Sequence, residues 1–199
     1  MNMTTLESLF TQYRDDALIA KLESYARFTI PSVFPDDVSA GDNRNAEIEY
    51  DGQSIGADLV GRLATKLART LFPAGISFFK IMMNDAVQKQ LKASAVEDIQ
   101  TLENEACSRL FLNASYAQLI QALRLLIITG EALIHRVDDR FRVFSLRNYS
   151  AKRSTIGDTL DLVILEEKHG SELTAKQRSI ARCRETDKCK LYTRVKLEH

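Results

Sequence analysis

At Gly130 the hydrophobic period of this 199-residue chain changes, and few architectures accept both halves of the pattern. Upstream, apolar residues recur every three or four positions, the spacing of one helix face. Downstream they alternate, the spacing of a half-buried strand. Helices first and antiparallel hairpins afterwards is the signature of an α+β fold. The pattern predicts a mainly helical part over 1–130, with one strand near 76–83, and an antiparallel β part over 131–196.

Within the first part, Thr4 and Glu7 have capping-box spacing, and Leu6, Leu9, Phe10, Tyr13, Ala17, Leu22, Tyr25 and Ala26 continue at helical intervals. This reads as one helix that stops before Pro31, because proline disfavours the α region in the residue preceding it. Residues 31–53 form a long polar connection, a candidate mobile arm or a segment ordered by a neighbouring subunit. Over Ser54–Leu71, Ile55, Leu59, Leu63, Leu67 and Leu71 sit four apart, with Val60, Ala64 and Ala68 filling the stripe and Arg62, Lys66 and Arg69 on the other side. That stripe is expected to pack on the apolar stretch Leu119–Ile128 of a helix over Ser115–Thr129. Between them, 84–113 reads as one broken helix or two. Gly130 stands where a glycine cap belongs.

Beyond Gly130, Ala132–Val137 and Arg140–Leu146 predict a hairpin turning at Asp138-Asp139. A second turn is expected at Ile156-Gly157-Asp158, a short polar helix over Glu172–Arg182, and a last strand over Lys190–Lys196. The closing Leu197-Glu198-His199 reads as the start of an expression tag, which would place the cut near Lys196.

Lys+Arg and Asp+Glu are equal at 27 each, so no global positive field favours nucleic acid; a local basic patch stays open. Cys107, Cys183 and Cys189 are too few and too unevenly spaced for a disulfide framework or a zinc site, and read as reduced thiols in a cytosolic setting. No apolar run reaches the ~20 residues of a bilayer span.

Candidate chemistry meets a plainer reading at each point. His135, on a strand face with Leu133 and Val137, is a candidate general base, alone or with Asp138 or Asp139 and a metal. No nucleophile motif lies near it, and a sheet histidine explains it. Glu166 and Glu167 are adjacent on a strand and point to opposite faces, so they do not converge on one ion. Gly52-Gln53-Ser54-Ile55-Gly56 opens a helix but lacks the lysine and glycine spacing of a phosphate loop. Arg142, Arg147, Lys152 and Arg153 with Phe141, Phe144 and Tyr149 suggest a nucleic-acid platform; a solvated strand face with core aromatics explains the same residues. The residues alone therefore give no catalytic, cofactor-binding or metal site.

Several stretches in order resemble one family. Tyr25-Ala26-Arg27-Phe28-Thr29-Ile30-Pro31-Ser32-Val33-Phe34-Pro35 looks like a segment near the start of the head-to-tail connector (portal) proteins of short-tailed bacteriophages. Ile55-Gly56-Ala57, Leu63-Ala64-Thr65-Lys66-Leu67 and Leu71-Phe72-Pro73 resemble that family's next helix. Ile76–Ile81 is similar to its next strand, Leu123–Ile134 to its long apolar helix running into a strand, and Phe141–Tyr149 to the strand and turn beyond. The family's tryptophans near the second and third blocks are missing, and the link at Asp138-Asp139 is shorter than the family pattern.

The resemblance implies the outer wing of a ring-forming, non-enzymatic structural subunit without cofactors. That ring sits at one capsid vertex and serves as the channel for DNA packaging and ejection and as the tail attachment point. The implied partners are other copies of the chain, capsid, scaffold and tail-adaptor proteins, and double-stranded DNA passing without sequence specificity. A packaging ATPase would be reached through regions downstream of those matched. The implied location is the virion, and the host cytoplasm during assembly. A non-catalytic nucleic-acid-binding α+β module is the alternative. Without the family's stem, the chain is expected to be monomeric or weakly associated.

Overall fold

The computed structural model describes residues 3–33, 54–84, 93–112, 115–137 and 140–196. In chain order α1 (Met3–Tyr13), α2 (Asp16–Arg27), a 3-10 turn at Pro31–Val33, α3 (Ile55–Leu71), α4 (Ala93–Leu112) and α5 (Ser115–Thr129) are followed by the strands. β1 (Leu133–Val137) pairs with β2 (Arg140–Phe144). β3 (Tyr149–Arg153), β4 (Thr159–His169) and β5 (Lys188–Lys196) form a second antiparallel sheet in the order β3-β4-β5, with α6 (Ala175–Ala181) between β4 and β5. The fold is α+β, and the period change at Gly130 marks the step from α5 to β1. Gly130 has φ 74° and donates to the Leu126 carbonyl at 2.9 Å, closing α5 as a left-handed cap.

Three clusters carry the core. Ile19, Leu22 and Ala26 of α2, Val33, Val60 of α3, and Leu125 and Ile128 of α5 form the helical one. Phe10 of α1 packs on Val163 and Leu165 of β4. On the opposite face of β4, Ile164 meets Phe144 of β2 and Tyr149 of β3. β4 is thus covered on both sides, which explains its near-continuous apolar run Leu160–Leu165. Cβ atoms alternate along it, so Asp161, Val163 and Leu165 share the face toward α1.

Four expectations are corrected. The N-terminal helix is two helices: Asp15 caps α2, its Oδ1 accepting from the Leu18 N–H at 2.9 Å, and the cap breaks a periodicity that continues across it. Ile76–Asn84 is not a strand. Its backbone finds no partner edge among the described residues, and the Ile81 N–H instead donates to Glu103 Oε1 at 2.6 Å. The leucine stripe of α3 is not the face buried in the core; the neighbouring line of Val60, Ala64 and Ala68 is. Finally, Cys183 and Cys189 form a disulfide between the end of α6 and β5, while Cys107 is free and buried. Residues 34–53, Asp138-Asp139 and 197–199, on which the polar-connection, turn and tag expectations fall, lie outside the described residues. No single helix among the described residues is long and apolar enough to cross a membrane.

Candidate interaction surfaces

Helix α3 presents three strips. Val60, Ala64 and Ala68 are buried against α5. Small side chains there let the two helix axes approach closely. Exposed apolar side chains, Ile55, Leu59, Leu63 and Leu71, wind round one side of the helix, with Leu59 61 % and Leu63 46 % exposed. The other flank is polar and basic. Ala57, Asp58, Gly61, Arg62, Thr65, Lys66, Arg69 and Thr70 of α3, together with Arg124 of α5, line a cavity of about 660 Å³. Gly61 leaves its floor low: a Cβ there would meet Arg124 Nη2 at 3.9 Å. Arg62 is paired with Asp58 at 2.9 Å. Among the described residues no acid pairs with Lys66, Arg69 or Arg124, and the buried Arg124 Nε has no hydrogen-bond partner.

The residues singled out from sequence fall elsewhere. His135 is exposed on β1, opposite Arg142 in the ladder. The other described histidine, His169, works locally, its N–H donating to Glu172 Oε1 at 3.4 Å and its Nδ1 lying 2.9 Å from Ser171 Oγ. Glu166 takes an ion pair from Arg142 and a second from Lys168 at 3.7 Å; Glu167 faces the other side of β4, its Oε2 buried and without a hydrogen-bond partner. Among the described residues no three His, Cys, Asp or Glu side chains converge as ligands. Gly56 has a packing role. A Cβ there would run into the Phe28 carbonyl and sit 3.2 Å from the Thr29 Cα, so glycine lets the end of α2 lie on the start of α3.

The basic–aromatic stretch is likewise consumed by the fold. Phe144 and Tyr149 are buried, and Arg142 stacks over Phe144 at 5.3 Å while pairing with Glu166. Arg153 pairs with Glu131 at 2.6 Å. Burial and the Glu131 carboxylate push the Tyr149 phenol well above its ordinary range, so it stays a neutral core side chain. Sequence reasoning missed Asp161, which takes three hydrogen bonds from Arg194, at 2.5 to 3.1 Å, and one from the Tyr13 hydroxyl at 3.1 Å. The signal was present: a lone carboxylate inside an apolar strand requires a partner.

Comparison with known proteins places the chain in a family. The model of the bacteriophage head to tail connecting protein matches residues 4–199. The chain belongs to that family. It is 34 % identical to the portal protein of Pseudomonas phage phiKMV over 96 % of this chain and 40 % of the relative. It is 26 % identical to the portal protein of Enterobacteria phage SP6, over 87 % of this chain and 35 % of the relative. To that of Escherichia phage T7 it is 24 % identical, over 74 % and 29 %. The chain therefore spans 40 % or less of the length of these relatives. Within the connector fold, Gly56 joins two of the stretches that carry the resemblance, Phe28-Thr29 and Ile55-Gly56-Ala57.

Proposed function

We propose that this chain works as a structural part of the phage portal, the homo-oligomeric ring at one capsid vertex through which DNA is packaged and ejected and to which the tail attaches. The observation that carries the reading is the family match across residues 4–199. Portal relatives at up to 34 % identity support it. The apolar edge of α3 is the surface through which a second copy would dock, since Ile55, Leu59, Leu63 and Leu71 are otherwise left to water. The capsid shell, scaffold and tail adaptor would meet other faces. Duplex DNA would pass without sequence specificity, the packaging ATPase would be engaged by other parts of the full subunit, and assembly would begin in the host cytoplasm. No catalytic role is assigned.

Antibody or gold labelling of this chain in assembled particles tests the reading. The expected image has label at one vertex per capsid. Label spread over the shell, or absent from particles, would overturn it.

A further inference from the structure

The basic groove between α3 and α5 is not used by the fold, and its chemistry is specific. Three positive groups, Lys66, Arg69 and Arg124, converge on one cavity without acidic partners among the described residues, in a chain whose net charge is zero. The Arg124 Nε is buried with its donor unspent. A buried donor lacking an acceptor is costly, and an anion entering the groove would satisfy it. Arg62, Lys66 and Arg69 follow each other at four and three residues, a row about 10 Å long at helical rise. The three cations without acidic partners, Lys66, Arg69 and Arg124, would neutralise about three phosphates.

We infer that this groove binds the phosphodiester backbone of double-stranded DNA. The lining also argues against a peptide occupant. Apart from the charged side chains it holds only alanine, glycine and threonine, with no aromatic or large aliphatic pocket to anchor a protein segment. Guanidinium and ammonium groups over a low glycine floor suit backbone contacts that position DNA without reading its sequence. The choice of duplex DNA as occupant rests on the proposed portal role; the charged groove itself does not. The stretch Arg142–Arg153, whose sequence looks more like a nucleic-acid platform, has its aromatics in the core and Arg142 and Arg153 paired.

The test is fluorescence anisotropy of a labelled duplex of about 20 base pairs titrated with the 199-residue chain between about 50 and 200 mM salt. Binding is expected to weaken with a log–log slope near about −3, for about three phosphates neutralised. The double substitution Lys66→Ala/Arg69→Ala should reduce that slope by about 2 and weaken binding at least about tenfold, with an unchanged circular dichroism spectrum because both side chains are exposed. Gly61→Glu, which puts a carboxylate on the floor, should weaken binding similarly. Lys152→Ala/Lys176→Ala, distant from the groove, should leave it unchanged. No binding at the lowest salt, equal loss in the Lys152/Lys176 control, or polyglutamate displacing the duplex as well as unlabelled DNA does would each overturn the assignment. A chain that fails here while labelling a single vertex in particles would remove the groove assignment and leave the portal reading standing.

Discussion

A carboxylate inside an apolar strand is tolerated only when its charge is met. Asp161 is 5 % exposed and is held by the Arg194 guanidinium and the Tyr13 hydroxyl, which ties α1 to the sheet. The Arg194 hydrogen bonds, against the opposing effect of burial, hold its carboxyl below the usual carboxylate range. A depressed folded-state pKa means that this contribution is complete above the unfolded pKa, near about 4, and is lost as pH falls through the folded value. Asp161→Asn should cost about 1.5 to 3 kcal/mol at neutral pH, and should flatten the fall in stability below pH ~4 seen in urea titrations of the parent chain. An unchanged acid limb would show that Asp161 is not the group responsible. Gly56→Ala forces a methyl group into the Phe28 carbonyl. It should cost about 1 to 3 kcal/mol by overpacking, read as a lower denaturation midpoint at constant m-value. Little of this was visible in the sequence. Gly56 opens a helix without the spacing of a phosphate loop, and only the path of α2 shows what its missing side chain avoids. Asp161 was legible as a charge in the wrong place, but its partner Arg194 lies 33 residues on, beyond any local spacing rule.

Helical period finds a helix more reliably than it finds the inward face. The four-residue spacing from Ile55 to Leu71 marks α3 correctly, yet Val60, Ala64 and Ala68 form a neighbouring line with the same period, and that line is the one turned to α5. Size settles the choice, because the small residues permit the closer helix approach. Leu63→Ala, which would cost about 2 to 5 kcal/mol at a buried site, should therefore cost under about 1 kcal/mol in this chain. Ala64→Leu, into a fully buried site, should cost about 1 to 3 kcal/mol. Guanidinium denaturation of both variants checks the pair, and the reverse ranking would restore the leucine stripe as core. A strand needs more than branched and aromatic residues: Ile76–Ile81 has both and, among the described residues, no partner edge, so Glu103 takes one of its backbone donors instead. The strand pairs after Gly130 were legible because alternation is a local signal. The disulfide was not, since pairing depends on where α6 delivers Cys183 beside β5. It closes a loop of six residues' separation, for which the chain-entropy model gives about 2 kcal/mol. Reductant should lower stability by about that amount, and Cys183→Ser should become insensitive to reductant. A parent chain equally stable in both conditions would show that the bond contributes nothing.

At the scale of the molecule, the helical cluster and the three-stranded sheet are each closed over their own cores, and the apolar surface left over is not spread evenly. Ile55, Leu59, Leu63 and Leu71 lie along one edge of α3, beside the basic groove and away from the sheet cluster. Scattered surface leucines need no explanation, but a continuous edge on one helix is the signature of a contact surface. Zero net charge leaves little long-range repulsion to oppose copies approaching each other. In isolation the edge is narrow, one helix strip. An obligate interface commonly buries about 2,000 Å² or more, so this surface alone should hold copies together weakly. The chain is accordingly expected to sediment as a concentration-dependent mixture dominated by monomer, and a longer portal subunit containing it to form closed rings. Leu59→Glu/Leu63→Glu should shift the chain to monomer at all concentrations without lowering its denaturation midpoint, because neither side chain is buried. In the longer subunit the same pair should impair ring closure, scored by electron microscopy. Rings that close normally with both glutamates in place would show that the α3 edge faces something other than a second copy. A lowered midpoint in the isolated chain would instead show that the leucines belong to its core.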